Sequence, residues 1–172
     1  MIIIINGSLG VGKTSVASQL HYKFAKAVHL DGDSIGDVQP FEIYDDVRIQ
    51  HLYQTLELLI GFHQKHGYQN FVINYVFETS ESLQSLIDLL HPLDSSIHTY
   101  WLTCDPEEQA RRIRNRKRDD LDWELQRFIE LQHIQTQAAQ QGFIGKHVDT
   151  TGLTITEVAE RIWKDILSLQ AA

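Results

Sequence analysis

Residues 6 to 15 read Asn6-Gly7-Ser8-Leu9-Gly10-Val11-Gly12-Lys13-Thr14-Ser15. Before them stands a short apolar, β-branched run, Ile2 to Ile5. After them comes a helical pattern in which Val16, Leu20 and Phe24 recur every fourth residue. Gly7, four further residues and then Gly12-Lys13-Thr14 satisfy G-x-x-x-x-G-K-[ST], in which glycines let main-chain N–H groups curl around an anion. The following helix aims its unpaired N–H groups and partial positive charge at the same point. Lys13 adds a full charge on a flexible stem for the outer phosphates, and the Thr14 hydroxyl is placed to ligate the accompanying magnesium. A strand before and a helix after are independent requirements, and both are met. The segment reads as a nucleoside triphosphate site.

A chain of 172 residues is long enough for one domain with a substantial core. Its 42% hydrophobic and 22% charged content is ordinary for a globular protein. A net charge of -8 argues against a general nucleic-acid or membrane surface. The one cysteine, Cys104, excludes an internal disulfide framework and suits a reducing compartment. MIIII is too short for a signal segment, and no later apolar run approaches spanning length. The expectation is a soluble cytoplasmic protein, monomer or homodimer, without a nucleic-acid or membrane partner.

No repeat, low-complexity tract or linker divides the sequence, and strand-like runs alternate with helical ones. IIIIN precedes a helix from about Thr14 to Lys26, and AVHLD is a second strand. A long helix spans about Ile43 to His66, with Leu52, Leu56, Leu59, Ile60 and His63 on one face. QNFVINYVF is a third strand, followed by a helix marked by Leu83, Leu86, Ile87 and Leu90. IHTYWLTC is a fourth strand, ending at Asp105-Pro106-Glu107-Glu108, where an N-cap Asp, a Pro and a Glu open a helix. A further helix covers about Leu121 to Gln140, KHVD is a fifth strand, and the capping box at Thr154 and Glu157 opens the last helix. This alternation predicts an α/β fold of three layers, a five-stranded parallel sheet with helices on both faces. The phosphate site then lies at the carboxyl ends of the strands.

With these residues in place the chain resembles the small P-loop kinases: shikimate and gluconate kinases, nucleoside monophosphate kinases and chloramphenicol phosphotransferase. The resemblance implies a single P-loop NTPase domain over 1–172, with an acceptor-binding helical region at about 34–66 and a lid at about 111–122. It implies ATP and Mg2+ as ligands, with Gly7, Gly10, Val11, Gly12, Lys13, Thr14 and Ser15 around the nucleotide. The segment HLDGDSI is similar to the D-x-D of shikimate kinase and the DGD of gluconate kinases. By that likeness Asp33 is the general base toward an acceptor hydroxyl, and Asp31 stands on the metal side with Thr14. Phosphoryl transfer suits such a pair, since it needs an oriented hydroxyl and neutralised phosphate charge more than a covalent partner. The competing reading is that Asp-Gly-Asp is a turn.

Arg111, Arg112, Arg114, Arg116, Lys117 and Arg118 concentrate six of the fifteen Lys and Arg in eight residues. The cluster resembles the kinase lid, where arginines stack on adenine and clamp phosphates, tasks that suit a planar, forked guanidinium. Helical spacing pairs Arg112 with Arg116, and both join Lys13 and Asp33 as expected catalytic residues. A salt-bridged helix end is the alternative, because Asp119, Asp120, Asp122 and Glu124 follow at once. FVINYVFE resembles the third strand of chloramphenicol phosphotransferase, with Asn74 where an Asp often stands; an amide cannot supply charge or act as a base. Between Lys26 and Lys65 the one cation is Arg48. It would hold an acidic group on the acceptor, or else pair with Glu or Asp on a helix surface. Asn74 is expected beside the acceptor with Arg48 and Asp33, and Tyr44, Tyr75 and Glu78 are further candidates. VDTTGLTITE matches in place the loop that meets adenine.

His63 and His66 share a helix face without the remaining ligands of a zinc set. Cys104 reads as a buried structural thiol. Three function classes remain: a kinase acting on a small-molecule hydroxyl or phosphate, a nucleotide sensor without transfer activity, and a GTPase-like NTPase. For the last, Asp33-Ser34-Ile35-Gly36 spells D-x-x-G, but no N-K-x-D follows.

Overall fold

Ile2 to Ile5 are wholly buried, as befits a strand at the centre of a sheet covered on both faces. In the computed structural model, which describes residues 1–116 and 120–170, they form β1 (Ile2–Gly7). The other strands are β2 (Val28–Asp31), β3 (Phe71–Asn74), β4 (Ile97–Thr103) and β5 (Lys146–Asp149). The sheet order is β2-β3-β1-β4-β5, every pair parallel. The helices are α1 (Lys13–His21), α2 (Gly32–Ile35), α3 (Asp46–Lys65), α4 (Ser80–Leu90), α5 (Pro106–Asn115), α6 (Leu121–Gln141) and α7 (Ile155–Gln170). This is the three-layer P-loop fold that the alternation predicts.

Alternation along β1 divides the core in two. Ile3 and Ile5 pack with Val16, Leu20, Val158 and Ile162 of α1 and α7. Ile2 and Ile4 face Leu52, Leu56 and Ile60 of α3 and Leu83 and Leu86 of α4. Side chains two apart on a strand share a face, so one isoleucine run serves both layers. Because β1 has β3 on one side and β4 on the other, its carboxyl end opens at the switch point of the sheet, where ligands bind in such folds.

Four boundaries differ from the sequence expectation, each for a local reason. α1 ends at His21, and Lys23 and Phe24 donate to carbonyls three residues back, so a tight turn delivers Phe24 edge-on to Trp163 at 4.9 Å. α3 begins at Asp46 because Asp45 caps it, accepting from Val47 N at 2.8 Å. β3 stops at Asn74, and residues 75–78 leave the sheet toward the cleft. Asp-Gly-Asp ends β2 at Asp31, as expected, but runs at once into the short α2, which Asp31 caps, in place of a plain turn. Among the described residues no helix is long and apolar enough to cross a membrane.

Candidate active site

The phosphate loop is anchored from below by Asn6, wholly buried at the end of β1. Its Oδ1 accepts from Gly7 N at 2.7 Å, Phe77 N at 2.9 Å and Gln135 Nε2 at 3.2 Å. Its Nδ2 donates to Ile144 O at 3.3 Å. One amide thus ties the start of the loop to the chain beyond β3 and to α6. Gln109 donates to Ser8 Oγ and Leu9 O, bracing the loop from α5. Gly10 and Gly12 have φ of 82° and 98°, which a side chain rarely adopts. The Lys13 ammonium lies back across the loop, donating to Ser8 O at 3.0 Å.

Thr14, Asp31 and Asn74 meet at the head of α1. Thr14 Oγ1 donates to Asp31 Oδ2 at 3.2 Å, and Asn74 Nδ2 donates to Thr14 Oγ1 at 3.3 Å. His29 Nε2 lies 2.5 Å from Asn74 Oδ1; an amide oxygen can only accept, so that nitrogen carries the proton. The other Asp31 oxygen accepts from Asp33 N at 2.9 Å and Ser34 N at 3.2 Å. Burial pushes the Asp31 carboxyl up, but the hydrogen bonds from Asn74, Ser34, Thr14 and Asp33 outweigh it and hold the group below its ordinary range. The residue is therefore a carboxylate at neutral pH. A hydroxyl and a carboxylate oxygen side by side next to a phosphate loop are hard donors of the kind magnesium takes, so these residues fit that ion.

Three clefts run together around the loop. One, of about 460 Å3, is bounded by Gly10, Gly12, Ser15, Arg112, Arg116 and the segment from Thr150 to Ile155. A second, of about 450 Å3, is bounded by Gly12, Lys13, Thr14, Ser15, Asp31, Asp33 and Arg116. The third, of about 270 Å3, includes Leu9, Asp33, Arg48, Tyr75, Trp123 and Arg127. Gly12, Ser15 and Arg116 belong to the first and second, and Leu9 and Asp33 to the second and third. Phosphate space thus has a neighbouring room on either side, and Asp33 stands at one of the doors.

The arginine cluster divides. Arg112 turns inward, donating to Thr150 Oγ1 at 3.2 Å, Thr150 O at 3.0 Å and Glu108 Oε1 at 2.6 Å. Glu108 also accepts from Gly152 N at 3.0 Å, so these two residues hold the 150–153 loop that walls the first cleft. Arg111 and Arg114 are exposed, whereas Arg116 reaches both nucleotide-side clefts. Lys117 and Arg118 of the expected lid lie outside the described residues.

Arg48 lines the third cleft, but its Nε donates to Glu42 O at 2.8 Å and its Nη2 to Ile43 O at 2.9 Å. It therefore fixes the irregular segment before α3, with its guanidinium 4.7 Å from the Phe41 ring. Asn74, expected beside the acceptor, is instead wholly buried beneath Thr14. Tyr44, Tyr75 and Glu78 do line the cleft. Sequence reasoning missed Arg127 of α6, whose side chain is 8% exposed and ion-paired to Glu78. Arg127 Nη1 donates to Tyr44 OH at 3.0 Å and to Glu130 Oε2 at 3.1 Å. Its one signal is an arginine amid the apolar positions Trp123, Phe128 and Leu131 of a helix.

A family model described as AAA domain matches residues 3–132. No curated protein matches the chain. Among solved structures, the tunicamycin resistance protein of Deinococcus radiodurans superposes with a TM-score of 0.66 at 21% identity, over 96% of this chain and 94% of that one. Shikimate kinase from Bacteroides thetaiotaomicron gives 0.63 at 14% identity, over 96% and 98%. A gluconokinase from Sinorhizobium meliloti gives 0.61 at 14%, over 99% and 97%. At such identities the likeness is one of fold.

Proposed function

The chain belongs to the AAA domain family, and from that membership and the three joined clefts we propose an ATP-dependent kinase for a hydroxylated small molecule. The carrying observation is Asp33, which lines both the phosphate cleft and the side cavity. ATP would lie with its base in the first cleft, against the wall that Arg112 and the 150–155 segment form together, and its phosphates on the loop amides. Lys13 exchanges Ser8 O for the outer phosphate oxygens, and Arg116 closes from the side. Thr14 and Asp31 would hold the magnesium, which neutralises phosphate charge when bound. An acceptor hydroxyl in the third cleft gives its proton to Asp33 as its oxygen bonds to the γ-phosphorus; the bond from that phosphorus to the bridging oxygen breaks, and ADP leaves.

Asp31 supplies the negative charge that Asn74 cannot, and Asn74 becomes the group that orients Thr14. This arrangement supports transfer over a sensor without activity. The reading carries a single domain over 1–172, the residues around 34–66 on the acceptor side and a lid around 111–122. It also carries a small-molecule acceptor, no nucleic-acid or membrane partner and a cytoplasmic setting. The test is ATP consumption with magnesium over a panel of hydroxylated compounds, with Lys13→Ala as the blank. A Lys13-dependent hit supports the kinase; ATP binding with silence across the panel favours the sensor, and a strong preference for GTP favours an NTPase switch.

A further inference from the structure

We infer that His29 is a positioning residue for the metal side of the phosphate site: by holding the Asn74 amide it fixes the Thr14 hydroxyl, so that one lone pair is left for the cation. The inference goes beyond the kinase reading and rests on it only in taking Thr14 as a ligand. β2 and β3 pair His29 with Val72 and Asp31 with Asn74, and Val72 lies in the core layer packed by α1 and α7. Residues two apart on a strand share a face, so His29, Asp31 and Asn74 all stand on the side of the sheet that α1 covers. One imidazole is thereby set diagonal to the amide whose other end meets the head of α1.

The sense of each bond follows from the acceptor at the end of the chain. A carboxylate can only accept, so Thr14 gives its one proton to Asp31 Oδ2. The hydroxyl oxygen must then accept from Asn74, whose NH2 also serves Asp31. The amide oxygen is left facing His29 Nε2, 2.5 Å away, which must donate. Reversing the amide would set its oxygen against the carboxylate and its NH2 against an imidazole N–H. With Cβ, the proton to Asp31 and the Asn74 N–H arranged around it, the Thr14 oxygen keeps one lone pair in one direction.

His29 makes that order firm. Asn74 is wholly buried, and a buried amide oxygen without a donor is costly. The terminal amide torsion is broad, so an unmatched oxygen would turn to find a donor and carry the NH2 away from Thr14 and Asp31. The imidazole is itself braced. Its ring stacks on His21, the last residue of α1, with centroids 5.6 Å and planes 27° apart, and His21 lies against Tyr22 at 4.0 Å. His29 therefore holds α1 at both ends, through Asn74 and Thr14 at its head and through His21 at its last turn. Loss of a group one step behind a metal ligand typically costs about tenfold or more in metal affinity.

The test is calorimetric titration of the full chain with adenylyl imidodiphosphate, a non-hydrolysable ATP analogue, once with magnesium and once with EDTA. The ratio of the EDTA Kd to the magnesium Kd measures what the cation adds. His29→Leu, which keeps bulk and removes the donor, should lower that ratio by about tenfold while the EDTA value stays within about twofold of the parent's. His29→Gln, whose amide restores an N–H, should recover most of the loss. Asn74→Ala should lower the ratio as His29→Leu does, and the double variant should fall no further. Nitrogen NMR of the parent's imidazoles, with the His29 signals identified by their absence in His29→Gln, should show Nε2 protonated at neutral pH. A merely structural His29 would lower the melting temperature of both His29 variants and leave the ratio alone. An unchanged ratio in folded His29→Leu, additive losses in the double variant, a bare Nε2, or a parent that binds the analogue no better with magnesium overturns the inference. A His29-dependent ratio without ATP consumption over the panel of hydroxylated compounds leaves it standing and sinks the kinase. Lys13-dependent turnover with the parent's ratio in His29→Leu does the reverse.

Discussion

The phosphate loop and the side cavity proposed for the acceptor adjoin at Leu9 and Asp33 but are built by opposite means. The loop presents main chain: its amides, its positive-φ glycines and the head of α1 are all supplied within ten residues, with Asn6 and Gln109 bracing it from below. The cavity presents side chains from the segment before α3, the chain beyond β3 and the first turns of α6, held in register by the Arg127, Glu78 and Tyr44 cluster. A backbone site concentrates its function in a few positions and tolerates change at most others. A side-chain site spreads its selectivity over many positions, so single substitutions there should retune the acceptor and spare the nucleotide.

The strongest test of that contrast is Lys13→Ala. It removes a full charge from the outer phosphates, and turnover should fall by about 10^3-fold, with ATP affinity weakened in direct titration. Unchanged kinetics would remove the loop from the mechanism. Asp33→Asn, at the shared border, should lower kcat by about 10^2-fold or more while nucleotide affinity holds. If both fall together, Asp33 belongs to the nucleotide side and the division fails where the clefts meet.

Glu78→Gln probes the far side of the cavity. It leaves Arg127, with 8% side-chain exposure, facing an uncharged amide, with Glu130 as its remaining ion partner. Cavity walls anchored by that pair should shift, raising the acceptor KM by about tenfold with the ATP KM unchanged. An equal rise in both would show that the two regions are mechanically one.

The same contrast explains what the sequence discloses. Loop, strand order of types and helix starts are legible because they follow from local rules: glycine conformation, β-branched runs, and caps at Asp105 and Thr154. Arg127 and Gln135 are not, since each is a polar residue on an otherwise amphipathic helix whose partners lie 49 and 58 residues away, at Glu78 and Phe77. Arg48 is legible as the one cation between Lys26 and Lys65, but its carbonyl partners are not, because they belong to an irregular segment without periodicity. Asn74 lies within the expected third strand, but its place at the end of β3 and its bond to Thr14 depend on β2, β3 and α1 meeting in space.

The smallest expected effect concerns the loop that walls the nucleotide cleft. Glu108 is held below the ordinary carboxylate range chiefly by the Gly152 N–H; burial opposes this, and Arg112 adds to the lowering. A carboxyl whose folded pKa is depressed contributes stability that is fully present above its unfolded value, near 4.5. That contribution is lost as pH falls through the lower folded value. Glu108→Gln removes the charge at every pH while keeping an oxygen for Gly152. The melting temperature of the parent should therefore exceed that of the variant by a small, constant margin above about pH 5, narrowing below about pH 4.5 as the parent's own carboxyl is protonated. Glu108 is partly exposed, so added salt should shrink the margin as well. A margin independent of pH would mean that Glu108 acts through shape alone, and that the nucleotide-side loop is held, like the phosphate loop beside it, by main chain and not by charge.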